Sequence, residues 1–376
     1  MTRIAILALE AAENDNAPLV GGSAKVPFKL FHALSRKAEL NVDYFYFQGE
    51  SRQARCHKLS ALPGKLYLKT LLREIALLFK APKLFGYDVI QIHHPHFALM
   101  LGLIKRVFRL KSKIIVKAHG TALPELKANG YKGLKNIILL TNAYIHLWHD
   151  RAGLAFADWV LCSSKFQLKE MQELYRLSAD KLRVIYNGYD RQALEQALKT
   201  SQKDRHPKSI IMCGRLVPKK NFRYAIELFK ELRKHDPSYS MTLICGHKDR
   251  IEDPATWAMI EKEALDLPTL RIRFDLDENT LYQEMLSHEI ALLPSIGYES
   301  IPSVLYEYLA SGCRVYANHK WGIVEILPNE TRLSFDAAQD AAKIHEADIE
   351  NKNHTLIKIA EHSYDALTKH YEELYR

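Results

Sequence analysis

No run of about 18 consecutive apolar residues occurs in this 376-residue chain, so nothing in it reads as a membrane-spanning helix. The opening residues, MTRIAILALEAAEN, have an apolar stretch too short and too soon acidic for a secretion leader, and they read as a first strand. Cysteine is sparse. Cys56, Cys162, Cys213, Cys245 and Cys313 stand apart without a CxxC pair, and Cys162, Cys213 and Cys245 lie in apolar, strand-like runs. Such thiols are expected to be reduced core residues of a cytosolic protein. No Walker or GxGxxG glycine turn is present, which counts against an NTPase or a dehydrogenase, and no GxSxG elbow offers a serine nucleophile. Internal repeats and low-complexity segments are absent as well.

What is present is an alternation of strand and helix signals. Hydrophobic residues make up 47% and charged residues 26%, ordinary for a soluble globular protein, and the length suffices for two domains with separate cores. Strands are expected at residues 3–8, 41–47, 87–92, 113–118, 158–161 and 182–186, with helices at 22–35, 64–79, 97–108, 136–154 and 164–175 between them. The pattern resumes with strands at 209–213, 241–245, 270–274, 289–293 and 314–317. Alternation of this kind predicts α/β architecture with parallel sheets covered on both faces. The polar stretch QALKTSQKDRHPK, residues 196–208, reads as a linker, dividing the chain into domains at 1–195 and 209–352.

The formal charge of +9 is concentrated. Between Ser51 and Lys113 stand 13 Lys or Arg against two acids, Glu74 and Asp88. The segments KLYLKTLLREIALLFKAPKLF and LMLGLIKRVFRLKSK interleave those cations with apolar residues. They read either as core-packed helices with solvated basic faces or as a surface for an anionic membrane. Nucleic acid is the third reading of such charge, but no recognised reading module accompanies it.

Two segments carry chemistry. In LLPSIGYESIPSVLYEYLASGCRVYANHKWGIVE, a strand runs into a loop with Glu299, then into a helix over Val304 to Ala310 that carries Glu307. Unpaired backbone N–H groups and the partial positive charge of a helix start can hold a diphosphate there, at Ser303, Val304 and Leu305. Glu307, about a turn inside the helix, is within reach of sugar hydroxyls, and Glu299 can face the other end of the same ligand. Two solvated surface acids are the plain alternative. In SIIMCGRLVPKKNFRYAIELFKEL, Arg215 and Lys220 follow a strand and precede an amphipathic helix, where a phosphate-bearing ligand would sit. His93, His94 and His96 crowd together, but adjacent strand residues point to opposite faces and no further ligand of usual spacing stands nearby, so no metal is expected. His119 directly follows a strand, where an imidazole can donate to a sugar hydroxyl or serve only the structure.

The ordered set of GRLVPKKN, E(x7)E and GIVEIL resembles the donor domain of the retaining GT-B glycosyltransferases called glycosyltransferase family 4. Gly21-Gly22, DVIQIHHP, KAHGT, ADWVLCSS and VIYNGYD extend the resemblance through the first half, so that it spans roughly residues 3 to 330. The resemblance implies two Rossmann-like domains facing across a cleft, with a terminal helix at 353–376 crossing back to the first. It implies metal-independent transfer from a nucleotide-diphosphate sugar to a glycan or lipid-linked acceptor, in the cytoplasm or on the inner face of the membrane. Arg215 and Lys220 would hold the phosphates, Glu307 the ribose and Glu299 the donor sugar. His119 would contact that sugar, and Gly21-Gly22 would let the backbone approach the ligand closely. Two features depart from the family pattern: Ser300 stands where Gly is frequent, and a long polar loop runs from Glu10 to Asn16. A sugar-nucleotide epimerase of the same fold and a noncatalytic nucleic-acid-binding protein are the alternatives.

Overall fold

The computed structural model describes residues 1–11, 22–60, 66–119, 133–201, 204–349 and 359–376. Its strands are β1 (Thr2–Leu7), β2 (Glu10–Ala11), β3 (Leu40–Tyr46), β4 (Gln48–Gly49), β5 (Cys56–Lys58), β6 (Val89–Ile92), β7 (Lys113–Lys117), β8 (Trp159–Cys162) and β9 (Leu182–Val184), followed by β10 (His206–Cys213), β11 (Ser240–Ile244), β12 (Leu270–Arg273), β13 (His288–Leu293) and β14 (Arg314–Ala317). The helices are α1 (Gly22–Ser35), α2 (Leu66–Leu84), α3 (Ala98–Val107), α4 (Gly133–Ala155), α5 (Lys165–Tyr175), α6 (Arg191–Thr200), α7 (Phe222–His235), α8 (Pro254–Asp266), α9 (Glu278–Ser287), α10 (Ser303–Ala310), α11 (Ala337–Ile349) and α12 (Tyr364–Tyr375). They form two compact units, Met1–Asn187 with Tyr364–Arg376, and Gly188–Ser363.

In the first unit seven parallel strands lie in the order β5-β3-β1-β6-β7-β8-β9. Side chains alternate across a strand, and both faces are buried. Ala5, Leu7, Ile90, Ile92, Ile114 and Val116 face one core with residues of α2, α3 and α5. Ile4, Ile6, Val42, Tyr44 and Ile115 face the other with α1 and α12. Helix α12 turns Tyr364, Leu367, Tyr371 and Tyr375 onto that core, a spacing that keeps one helical stripe inward. The second unit has five parallel strands in the order β12-β11-β10-β13-β14. Its core takes the inward stripe of α7, including Phe222, Ile226, Phe229 and Leu232, together with Ile344 of α11.

Two expectations need correction. Residues 196–208 are not a linker: α6 continues to Thr200 and β10 begins at His206, so secondary structure occupies much of the stretch, and the unit boundary falls at Asn187/Gly188. Asp190 caps α6 by accepting from the amides of Gln192 and Ala193, both at 3.1 Å, and only Leu194 and Ala197 of this helix are buried. A short surface helix with so few apolar residues has the composition of a loop. Helix α2 runs on to Leu84 rather than stopping near residue 79; Pro82, which removes one amide hydrogen bond, lies within its last turn and the helix ends two residues later. Before the terminal helix lies α11, packed against α7.

An ion pair lies within the helical layer of the first unit. Glu74 of α2 is fully buried; its Oε2 lies 2.7 Å from His149 Nε2 of α4, and its Oε1 accepts from the Met100 amide of α3 at 3.1 Å. Burial opposes the charge on His149, but its interactions with Asp150 and Glu74 outweigh burial and lift its pKa from 6.5 to about 9. A raised folded-state pKa contributes stability that is fully present below the unfolded value and lost as pH climbs through the folded one. The unfolding midpoint is therefore expected to fall as pH rises from 6.5 through about 9. Glu74→Gln should flatten that fall; identical pH profiles for wild type and variant in thermal melts would show the pair does not carry this charge.

Candidate active site

The strand order of the second unit places a topological switch between β10 and β13. The chain winds outward from β10 through β11 to β12, then returns to β13 and β14 on the other side. In open parallel sheets the crevice outside the carboxyl ends at such a switch is where ligands bind. The loops that leave β10 and β13 flank it, and the Ile296 amide ties them by donating to the Lys219 carbonyl at 2.9 Å; Asn318 Nδ2, just after β14, donates to the Ser295 carbonyl at 2.7 Å. A Cβ on Gly322 would lie 1.9 Å from the Ser300 carbonyl oxygen, so only glycine lets the loop after β14 close on this one.

The sequence candidates Lys220 and Glu299, 79 residues apart, meet here. Their Nζ and Oε1 lie 2.5 Å apart, each side chain only 13% exposed. Arg215 does not join them; it pairs with Glu252 at 2.8 Å, at the surface on the β11 side of the loop. Helix α10 begins at Ser303 after Pro302, without a side-chain cap. Of the three amides expected to face a diphosphate, that of Leu305 is already used, donating to the Pro302 carbonyl at 3.0 Å. This contact closes the first turn and leaves Ser303 and Val304 as the amide donors available at the helix start. The Ser303 hydroxyl is buried and makes no hydrogen bond among the described residues. Glu307 is 3% exposed on the same helix, and its charge adds to burial in holding the Tyr282 phenol well above its usual range. The Tyr308 hydroxyl accepts from the Cys213 amide at 2.6 Å, pinning α10 to the end of β10. An anion placed at this helix start gains about 0.3–1 kcal/mol from the helix dipole before any contact to Lys220 is counted.

In the first unit the corresponding switch lies between β1 and β6. Gly21 falls outside the described residues, and Gly22 opens α1. His119 follows β7, and its Nε2 lies 2.9 Å from Nδ1 of His93 at the end of β6. Burial is the main cause that holds both imidazoles well below their usual pKa. Lys117 is fully buried with its ammonium donating to the Ile185 carbonyl, and burial lowers its pKa to about 7. His94 and His96 lie near each other, with ring centroids 5.3 Å apart, but they belong to no ligand cluster among the described residues. The group that does bring potential ligand atoms together is His247, Asp249 and Asp275, at the carboxyl ends of β11 and β12, with His247 Nδ1 2.7 Å from Asp275 Oδ1. Sequence spacing gave no signal for it, because two separate loops supply its members.

Comparison with known proteins bears on the family and the fold. Residues 20–193 match the family described as Glycosyltransferase Family 4, and residues 195–360 match the one described as Glycosyl transferases group 1. A relative from Campylobacter jejuni, N-acetylgalactosamine-N,N'-diacetylbacillosaminyl-diphospho-undecaprenol 4-alpha-N-acetylgalactosaminyltransferase, is 25% identical over 323 residues, covering 82% of this chain and 81% of that protein. Among solved structures, sucrose-phosphate synthase from Thermosynechococcus elongatus superposes with a TM-score of 0.75 at 19% identity, covering 100% of this chain and 98% of its own. Anabaena HepE in complex with UDP and glucose gives 0.69 at 14% identity, covering 100% and 99%. These matches displace the epimerase and nucleic-acid readings. With its two family matches, which together take in most of the sequence, and its two Rossmann-like units, the chain belongs to the GT-B glycosyltransferases of family 4 type.

Proposed function

We propose that this glycosyltransferase moves a sugar from a nucleoside-diphosphate donor to a lipid-linked glycan of the cell envelope, with retention of anomeric configuration and without a divalent metal. The meeting of Lys220, Glu299 and the start of α10 at the β10/β13 switch carries the reading. In it, Lys220 neutralises the diphosphate, Arg215 joins it on leaving Glu252, the Ser303 and Val304 amides donate to it, and Glu307 holds the ribose. Fixed cations and oriented amides stabilise a leaving diphosphate as the glycosidic bond breaks, the task a metal would otherwise perform. Glu299, displaced from Lys220 by the incoming phosphate, would turn to the donor sugar. Gly21-Gly22 would approach the same sugar through backbone, and His119 would donate a hydrogen bond to it. The acceptor class follows the Campylobacter relative, whose name records a diphospho-undecaprenol substrate. Retention follows the family resemblance; the anomeric configuration of the product, read by NMR, decides it, and an inverted product would refute it.

A screen of UDP, GDP and ADP by thermal shift should single out one nucleotide. Titration calorimetry with that nucleotide in chelator is then expected to give full binding by wild type. Glu307→Ala should weaken binding by about 10-fold, the scale of one to two hydrogen bonds. Glu299→Ala should leave nucleotide affinity intact or raise it, because Lys220 is released, yet impair transfer. Lys220→Ala should cut turnover by roughly 100-fold, the cost of one electrostatic contact to the transition state. Reversed behaviour of the two glutamates would invert their roles, and loss of turnover in chelator would refute metal independence.

The acceptor side supports a membrane contact. Helices α2, α3 and α4 pack together and expose Leu68, Phe79, Val107, Ile137, Ile138 and Trp148, with Phe108 beside them. No helix among the described residues is long and apolar enough to cross a membrane, so the contact would be peripheral, on the cytoplasmic face. Lys105 is tied to Asp158, which leaves Arg106, Arg109 and Lys111 as the better lipid-facing cations of this segment. Near an anionic bilayer each is worth about 1 kcal/mol, screened over roughly 8 Å at physiological salt. Flotation with anionic liposomes should recover wild type at low salt and much less at high salt. Changing Arg106, Arg109 and Lys111 to Gln should reduce recovery without altering nucleotide affinity; equal recovery of both proteins at both salts would remove the membrane from the account.

A further inference from the structure

Strand β6 lies inside the sheet of the first unit, yet it ends in a polar run: Gln91 and His93 are both fully buried. Buried polar groups persist where their hydrogen bonds are met, and here they form a directed chain. The Tyr375 hydroxyl, from the last turn of α12, donates to Gln91 Oε1. Gln91 Nε2 lies 2.7 Å from His93 Nε2, and His93 Nδ1 lies 2.9 Å from His119 Nε2. The direction follows from the chemistry of each partner. Gln91 Oε1 is the one acceptor of the buried Tyr375 hydroxyl among the described residues, and a turned amide would leave that O–H without an acceptor, so Tyr375 favours the orientation that faces Nε2 to His93. The amide nitrogen only donates, so His93 Nε2 is the bare nitrogen. A neutral imidazole then has its proton on Nδ1, which donates to His119 Nε2. His119 in turn has its proton on Nδ1. Burial keeps both rings neutral, reinforced at His93 by Lys117 and at His119 by His93.

We infer that Tyr375, acting through Gln91 and His93, is a positioning residue that fixes His119 as the Nδ1–H tautomer, with this N–H as its hydrogen-bond donor to ligand. The tautomer rests on the hydrogen-bond chain from Tyr375 and on both rings being neutral; its consequence for catalysis rests on the proposed contact between His119 and the donor sugar. The device uses the C-terminal helix to orient a side chain on the far end of a core strand, and no member of the relay other than His119 needs to touch substrate.

The test is long-range 1H–15N correlation spectroscopy on full-length protein labelled at histidine, which tells protonated from bare ring nitrogens. Wild type is expected to show His93 and His119 both protonated at Nδ1. In Tyr375→Phe the Gln91 amide is free to turn, so His119 should populate the Nε2–H form. That variant should also lose kcat on the order of 10-fold with donor KM nearly unchanged, as a misoriented rather than a missing group does. His119 protonated at Nε2 in wild type, or a tautomer unmoved in a folded Tyr375→Phe, would overturn the inference; should that variant fail to fold, the wild-type spectrum alone decides. His119→Ala separates the two levels: near-normal turnover would refute the sugar contact while leaving the tautomer to be judged by the spectrum.

Discussion

The close approach of Gly322 to the Ser300 carbonyl is the constraint on which the arrangement at the β10/β13 switch depends. With no Cβ at 322, the loop after β14 closes on the loop after β13, and that loop is bonded in turn to Lys219. The start of α10 is thereby set against the end of β10, where the Tyr308 hydroxyl and the Cys213 amide lock the two together. Glu299 and Lys220 then have one place to meet. The sheet contributes the frame: five parallel strands with a switch beside the first one, and every loop of the site at a carboxyl end. A larger residue at 322 would move backbone, and every contact of the site rides on that backbone.

The polar interior follows a second constraint. Isolated charges in a core cost several kcal/mol each, so they are found in sets that satisfy one another. Glu74 with His149 joins α2 to α4, and the Lys117 ammonium reaches the Ile185 carbonyl. The first pair joins two helices, and the second joins the end of β7 to the chain just after β9.

The alternation of strands and helices was legible in the sequence because parallel strands buried on both faces read as short continuous apolar runs, as in Ile210 to Cys213 or Ile290 to Leu293. The family was legible through its glycine and charge motifs at the strand ends. Polar composition misled where a helix buries little: α6 covers only Leu194 and Ala197, so its sequence reads as a linker. Contacts between distant loops were not legible at all. Nothing in the spacing of Lys220 and Glu299 says that they pair, that Arg215 turns to Glu252, or that the Leu305 amide is consumed by Pro302. Nor does any local pattern mark Tyr375 as a partner of Gln91, 284 residues away.

A nucleoside diphosphate bound at the carboxyl ends of β10 and β13 would set its phosphates at the start of α10. Hydrogen–deuterium exchange with and without saturating nucleotide tests this binding most directly, because it reads the Ser303 and Val304 amides themselves. Exchange is predicted to slow in peptides covering residues 214–221 and 296–305, with Ser303 and Val304 the amides most protected, and to stay unchanged across α2 and α3. Protection confined to other segments, with the start of α10 exchanging as fast as before, would contradict the account.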